Sequence, residues 1–253
     1  MEDLEDRIEE TASLIANSRY LVIFTGAGIS TESGLPDYRG PEGIWTLREK
    51  GLKPNLPKVP WHMVEPNLAH KAIVELQNMG LMKFLISQNV DNLHLKSGIK
   101  PDLIAELHGN STLLKCLNCD LRISKKEAGW NDQIHGKGYR TSRPVKGQPR
   151  CSSCEGRLIS SVVNFGDPMP QKEMQEATMH SERSDVFISI GSTLLVTPAA
   201  DFPVIALRNG ARLIILNKGE TALDRAAHIR IEEKAGEVLS KIVKHVKEKK
   251  MET

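Results

Sequence analysis

Every cysteine of the 253-residue chain falls in one of two pairs, Cys116-x-x-Cys119 and Cys151-x-x-Cys154. Two such knuckles offer four thiolates to one tetrahedral cation, and zinc suits that donor set. Four sulfurs leave no position for water, so the ion is expected to clamp a small module and take no part in a reaction. Disulfides or a redox pair are the alternative for the same residues. They suit the chain less well: its acidic, amphipathic start, "MEDLEDRIEE", lacks the apolar stretch of a secretory leader. The gap 120–150 is longer than zinc ribbons usually carry, and a long loop is expected there.

A second concentration of chemistry is "YLVIFTGAGISTESGLPDYRG", Tyr20 to Gly40. An apolar run ends at Gly26-Ala27-Gly28. Strand, glycine turn and following helix is the arrangement in which backbone N–H groups face a diphosphate. No Gly-Lys-Ser/Thr follows, which excludes a P-loop. Gly28 is followed by Ile29, Ser30 and Thr31, and the next glycine is Gly34, so the dehydrogenase fingerprint fails as well. A plain tight turn would account for the glycines, but packing does not require the Asp37, Tyr38 and Arg39 that come next. A carboxylate, a ring and a guanidinium suit a ligand that carries phosphates and a cationic ring.

Further polar residues gather behind apolar runs. "SQNVDNLH" crowds Gln88, Asn89, Asp91 and His94 into one turn, and "AELHGN" places His108 just ahead of the first cysteine pair. Histidine is the usual general base near neutral pH, so His108 is a candidate base; a capping or core histidine is the other reading. His62, His70, His135, His180 and His245 read as structural. "IGST" ends in Gly191, Ser192 and Thr193, and "LIILN" ends in Asn217. Hydroxyls and an amide there suit ribose and phosphate, or cap helices. Neither HExxH nor Gly-x-Ser-x-Gly occurs, which argues against a zinc protease and a serine hydrolase.

These residues need strands to position them. Apolar, β-branched runs at 20–24, 82–87, 159–165, 185–190, 212–217 and 228–231 alternate with helical patterns at 4–16, 69–79, 198–208 and 235–246. The alternation predicts an α/β fold, a Rossmann-like doubly wound parallel sheet covered on both faces. Ligands bind such sheets at the carboxyl ends of the strands, where the unusual residues lie. Two stretches break the rhythm and are expected to form a smaller inserted zinc-binding domain. They are 38–65 and 112–158; the remainder, 1–37, 66–111 and 159–253, is expected to form the Rossmann-like domain. Composition is that of a globular protein, 40% hydrophobic and 26% charged, and the net charge of +2 does not indicate nucleic acid. No run approaches a membrane span, and a cytoplasmic location with reduced thiols is expected.

The ordered set GAGIS (26–30), GLPDYRG (34–40), QNVDNLH (88–94), LHGN (107–110), two CxxC pairs, NFGD (164–167), GSTLLVTPA (191–199) and LIILN (213–217) resembles the sirtuins, NAD-dependent protein lysine deacylases. "PDYRGPEGIW" and the long cysteine gap look most like the class IV-like branch. The resemblance implies NAD, one structural zinc held by Cys116, Cys119, Cys151 and Cys154, and acyl-lysine proteins or peptides as substrates. By the same resemblance Gly26, Ala27 and Gly28 lie against the diphosphate, with Ser30 and Arg39 nearby. Ile29 and Asp91 hold the nicotinamide carboxamide, while Asn89 and Gln88 contact its ribose. Tyr38 shields the reactive carbon, beside Asp37. Gly191, Ser192, Asn217, Lys218 and Ala235 serve the phosphate and adenosine end. Val163, Asn164, Phe165 and Gly166 line the acyl-lysine tunnel. His108 is the implied base, with Asn89 its catalytic neighbour. Tyr38, the Gly191-Ser192-Thr193 order and Asn164 depart from the family's commoner residues. No Tyr-x-x-Arg occurs in 45–70, so specialisation for acidic acyl groups is not expected. Transfer of ADP-ribose to protein, hydrolysis of NAD, or a non-catalytic NAD-binding module are the alternative functions.

Overall fold

The computed structural model describes residues 3–54 and 59–251, without the His62 side chain. Residues 55–58 of the 38–65 insertion and the two at each terminus lie outside the described residues. Helix α1 (Leu4–Asn17) leads into β1 (Leu21–Thr25) and a 3₁₀ segment, Ala27–Ser33. Then come α2 (Ile44–Glu49), a 3₁₀ turn Trp61–Met63, α3 (Leu68–Asn78), β2 (Met82–Ser87), α4 (Leu93–Ser97) and β3 (Ile104–Glu106). The cysteine region holds β4 (Leu113–Cys116), β5 (Arg122–Ser124), α5 (Asp132–His135) and β6 (Leu158–Ser160). The chain closes with α6 (Gln171–Arg183), β7 (Val186–Ile190), α7 (Asp201–Arg208), β8 (Arg212–Leu216), β9 (Ile229–Ile231) and α8 (Ala235–Met251).

Six parallel strands form one sheet in the order β3-β2-β1-β7-β8-β9. Each residue of β1 is buried, as expected of a strand covered on both faces. Leu21 and Ile23 pack with α1, α3 and α8; Val22 and Phe24 pack on the opposite face with α6 and α7. Helix starts follow local chemistry. Asp3 and Asp6 close a capping box on α1, and the Asn67 side chain accepts from the Ala69 and His70 amides to begin α3. The chain moves outward from β1 through β2 to β3, then returns to β7 on the other side. The topological switch point therefore lies between β1 and β7. No described helix is long and apolar enough to cross a membrane.

Three features differ from the sequence reading. The run 159–165 is not a strand of the parallel sheet: β6 ends at Ser160 and pairs antiparallel with β4 in a separate sheet, β5-β4-β6. The expected boundary at 159 thus falls inside a strand of the small module. The turn after β1 continues as a 3₁₀ segment and not an α-helix, ending at Gly34 in the left-handed region, φ 88°. Helix α6 carried no readable apolar stripe because its buried face is Glu173, Ala177 and Ser181.

Two imidazoles are sealed beneath β1. His94 Nε2 lies 2.9 Å from Thr25 Oγ1, and His70 Nδ1 donates to Asn67 Oδ1 at 3.0 Å. The rings are 4.9 Å apart, and His70 Nε2 and His94 Nδ1 are buried without a hydrogen-bond partner among the described residues. Burial pulls both down to about 3, and the neighbouring His94 adds to the effect on His70. In the unfolded chain they titrate near 6.5, so the unfolded state binds more protons between these values. Stability held above about pH 6.5 is therefore lost as pH falls towards 3. Urea midpoints at about pH 7 and about pH 5 should show this loss, with a smaller pH slope in His94→Gln. An unchanged slope in that variant would refute the assignment.

Candidate functional site

The carboxyl ends of β1, β2 and β7 open into a cavity of about 750 Å³. Its floor is glycine on glycine. Gly26 N–H donates to Ile190 O at 3.0 Å, and Gly28 N–H donates to Gly191 O at 2.8 Å. A Cβ on Gly28 would sit 2.7 Å from Gly191 Cα, and one on Gly191 (φ 64°) would sit 2.3 Å from Ile29 N. The glycines thus let two loops touch at the switch point. The Gly26 and Gly28 amides are thus committed inward, whereas the Ala27 amide has no such tie among the described residues.

Ser30 joins the polar residues of the β2 loop. Its hydroxyl donates to Asp91 Oδ2 at 2.7 Å and accepts from Asn89 Nδ2 at 3.3 Å. Asn89 Nδ2 also donates to Gly26 O at 3.2 Å, and Asp91 Oδ1 accepts from the Leu93 amide. Gln88 Nε2 donates to Ser192 Oγ at 2.8 Å, so the β2 and β7 loops are tied across the cavity. All of these except Leu93 line it. His94, from the same turn, does not; it is the buried partner of Thr25.

His108 lines the wall facing these groups. Its Nδ1 lies 2.8 Å from the Gln88 carbonyl. A carbonyl can only accept, so Nδ1 holds the proton and Nε2 is left with its lone pair. Burial lowers the His108 pKa, partly opposed by the Gln88 hydrogen bond. The ring is thereby kept neutral, the state a base requires. Gly109 (φ 77°) turns the chain here: a Cβ would lie 1.9 Å from Ser161 O.

Asn217 and Lys218 line the far end of the cavity. Their loop is braced by Arg230, whose Nη1 donates to Asn217 O at 2.8 Å and whose Nη2 donates to Gly219 O. Sequence reading missed Arg230, which looks like an ordinary strand residue. Tyr38, Trp45 and Phe165 also line the cavity and pack in series with tilted rings, centroids 5.0 and 5.8 Å apart and planes at 49° and 44°, and the Arg39 guanidinium sits 4.7 Å over Trp45. Phe165 is 84% exposed, unusual for a large apolar side chain. Val163, Asn164 and Gly166 line the same cavity, as do Asp37, Gly191 and the overlooked Trp45, Trp61 and Met169. A signal for the tryptophans existed: two of the chain's three lie in one insertion. Burial raises the pKa of both Asp37 and Tyr38; for Asp37 a hydrogen bond from Gly40 opposes it.

Two expected residues are not brought to the cavity. Ile29 is fully buried in the core, and its N–H donates to Gly26 O. Ala235 begins α8, where the next amide, Gly236, donates to Glu32 Oε2 at 2.7 Å. A carboxylate of the chain already occupies that helix end.

The four cysteine sulfurs lie within 4.8 Å of one another. Cys116 and Cys154 sulfurs are 3.5 Å apart, and Cys119 and Cys151 sulfurs 3.6 Å. Zn–S bonds of about 2.3 Å put tetrahedral sulfurs about 3.8 Å apart, so a zinc ion fits with little adjustment. The knuckles match each other. Asn118 and Ser153 amides donate to Cys116 and Cys151 sulfurs, both at 3.4 Å. Asp120 and Glu155 take the same left-handed turn, φ 58° and 56°. A Cβ on Gly156 would lie 2.7 Å from Cys116 Sγ, so only glycine clears the site.

A profile described as the Sir2 family matches residues 54–198. The chain is also 38% identical over 262 residues to an NAD-dependent protein deacylase 2 of Archaeoglobus fulgidus, covering 96% of this chain and 98% of the relative. This chain belongs to the Sir2 family. It is 40% identical to the NAD-dependent protein deacetylase SRT1 of Arabidopsis thaliana over 90% of its length, and spans 46% of that longer relative. A solved Sir2 structure described as holding a deacetylated p53 peptide and 3′-O-acetyl ADP-ribose is 31% identical and covers 94% of this chain and 97% of its own, TM-score 0.72. The Sir2 chain's cysteine module should hold one zinc per chain by elemental analysis. Cys116→Ser should release it and lower Tm by roughly 10 °C, several kcal/mol of folding energy. A zinc-free variant with unchanged Tm would contradict the structural role.

Proposed function

We propose that this chain is an NAD-dependent protein lysine deacylase, moving an acyl group from lysine to ADP-ribose with release of nicotinamide. The observation that carries the reading is His108: a neutral, Nδ1-protonated imidazole facing a cavity between a glycine turn and an apolar wall. Such a cavity accepts a dinucleotide at one end and an acyl-lysine at the other. The deacylase named in Archaeoglobus fulgidus, matched over nearly its full length, supports the same activity.

Bound NAD supplies an electrophilic ribose carbon and a good leaving group, so the protein needs no nucleophile of its own. This chain's residues orient and exclude. The Ala27 amide offers a hydrogen-bond donor, and Arg39 and Lys218 positive charge, to phosphates. Asn89 and Gln88, fixed by Ser30 and Ser192, present amides to ribose hydroxyls. Asp91, already bonded to Ser30, keeps a carboxylate acceptor at the carboxamide end. Tyr38, Trp45 and Phe165 shield the reacting centre, and Val163, Asn164 and Gly166 guide the acyl-lysine. With NAD and acyl-lysine bound, His108 Nε2 would accept the proton of a ribose hydroxyl, so that this oxygen could bond to the acyl carbon as the acyl–lysine C–N bond breaks and the lysine leaves as the free amine. Reduced thiols around zinc fit a cytoplasmic location.

Mass spectrometry of reactions with NAD and acetyl-, butyryl- and myristoyl-lysine peptides should show equal amounts of nicotinamide, free-lysine peptide and O-acyl-ADP-ribose. Mass-shifted protein or free ADP-ribose instead would point to transfer or hydrolysis. His108→Ala should cut product formation by about 10²- to 10⁴-fold while NAD binding by calorimetry survives. Since burial lowers the His108 pKa, kcat/KM should rise with pH through a midpoint below the usual 6.5. A midpoint above that value would sink the general-base assignment.

A further inference from the structure

His108 is held in a short turn between Glu106, the last residue of β3, and Asn110. Both flanking side chains are buried, and they join: Asn110 Nδ2 donates to Glu106 Oε1 at 2.7 Å. This bond spans the turn and staples it shut over His108. The backbone follows suit, with Gly109 N–H donating to Glu106 O at 2.9 Å. Asn110 also reaches Asn92, beside Asp91, at 2.8 Å. The second Glu106 oxygen faces the small module. Arg122, at the start of β5 and three residues after Cys119, places Nη1 4.0 Å from Glu106 Oε2 and Nη2 2.5 Å from Glu173 Oε1. One three-quarters-buried guanidinium thus lies between two nearly buried carboxylates from β3 and α6.

We propose that Arg122 is a positioning residue for His108, a charge clamp through which the cysteine module fixes the catalytic turn. Two buried carboxylates cannot both stay ionised without a cation between them. Glu106 is already pushed up to about 7 by burial, with the Asn110 bond and Arg122 pulling it down and Asp91 and Glu173 adding to the rise. Arg122 therefore opposes the rise, after the Asn110 bond, and its cation offsets the Glu173 charge that would otherwise add to it. Nothing in the reading of His108 as base requires Arg122, and Arg122 does not line the cavity. The kinetic consequence rests on the deacylase reading; the consequence for the imidazole does not.

The test uses the full zinc-loaded chain and compares wild type with Arg122→Met, Arg122→Lys and Glu106→Gln. Histidine NMR titration, with the His108 resonance identified by its loss in His108→Ala, reads the imidazole directly. In Arg122→Met its titration midpoint and shift should move, kcat should fall by about 10-fold or more, and KM for NAD should stay within about 3-fold, since misplacing a catalytic group acts on the chemical step. Arg122→Lys should recover part of the loss. Glu106→Gln, which keeps the acceptor for Asn110 but removes the charge, should show a smaller defect of the same kind. If Arg122→Met only lowers Tm, with the His108 titration and kcat unchanged, the proposal is overturned. If it does not fold, wild-type values of both readouts in Arg122→Lys and Glu106→Gln overturn it. A wild-type chain that releases no nicotinamide would defeat the functional reading, while the NMR comparison would still decide the clamp.

Discussion

Gly26, Gly28 and Gly191 have to lie backbone against backbone at the point where the strand order reverses. No side chain fits between these loops, since any Cβ would come within 3 Å of the opposite backbone. That approach draws the ends of β1 and β7 together, and hydrogen bonds to Ile190 O and Gly191 O hold them. The cavity walls hang on this seam. Gln88 reaches Ser192 across it, and Asn89 reaches Gly26 O beside it. The close approach of the glycines shapes the floor, and under the proposed function their lack of side chains also leaves room for a dinucleotide. Which task dominates differs along the turn, because the Gly26 and Gly28 amides are spent on the protein itself.

The two sheets have different parts in the site. The parallel sheet delivers polar loops from three neighbouring strands to one edge. The small antiparallel sheet delivers no residue of the reaction but sits where its framework can control the His108 turn. Cys116 lies on β4, β4 pairs with β6, and the chain after β6 donates from Val163 N–H to His108 O at 2.9 Å. Arg122 supplies a second connection on the opposite side of that turn. The cysteine module is thus connected to the His108 turn, whose three residues between fixed ends have little freedom.

The candidate site residues were legible because packing alone does not call for their types. Four cysteines in two CxxC pairs, a glycine turn followed by Pro-Asp-Tyr-Arg, and polar clusters behind apolar runs are each modest signals, and their joint order along the chain is what points to a family before any coordinates. The parallel sheet was legible too, since strands covered on both faces read as continuous apolar runs. The 159–165 run misled for the same reason. Its apolar residues serve a short strand of the other sheet and then a cavity wall, and hydrophobicity does not record which surface buries it. Helix α6 was invisible because it turns alanine, serine and a paired glutamate inward.

What remained for tertiary structure was the allocation of roles among similar residues. His94 and His108 both follow strands, yet one is sealed against Thr25 and the other faces the cavity. Ile29 and Ser30 are adjacent, but the 3₁₀ segment sends the first into the core and the second into the polar network. Ala235 begins a helix whose next amide is met by Glu32, Arg230 braces the Asn217 loop, and Arg122, equally unremarked in the chain, lies between Glu106 and Glu173. The sequence by itself determined the chemical inventory, the metal-binding set and the family, because those depend on residue type and local spacing. The fold decided which lone pairs and amides stay free for a ligand, because that depends on partners brought from distant parts of the chain.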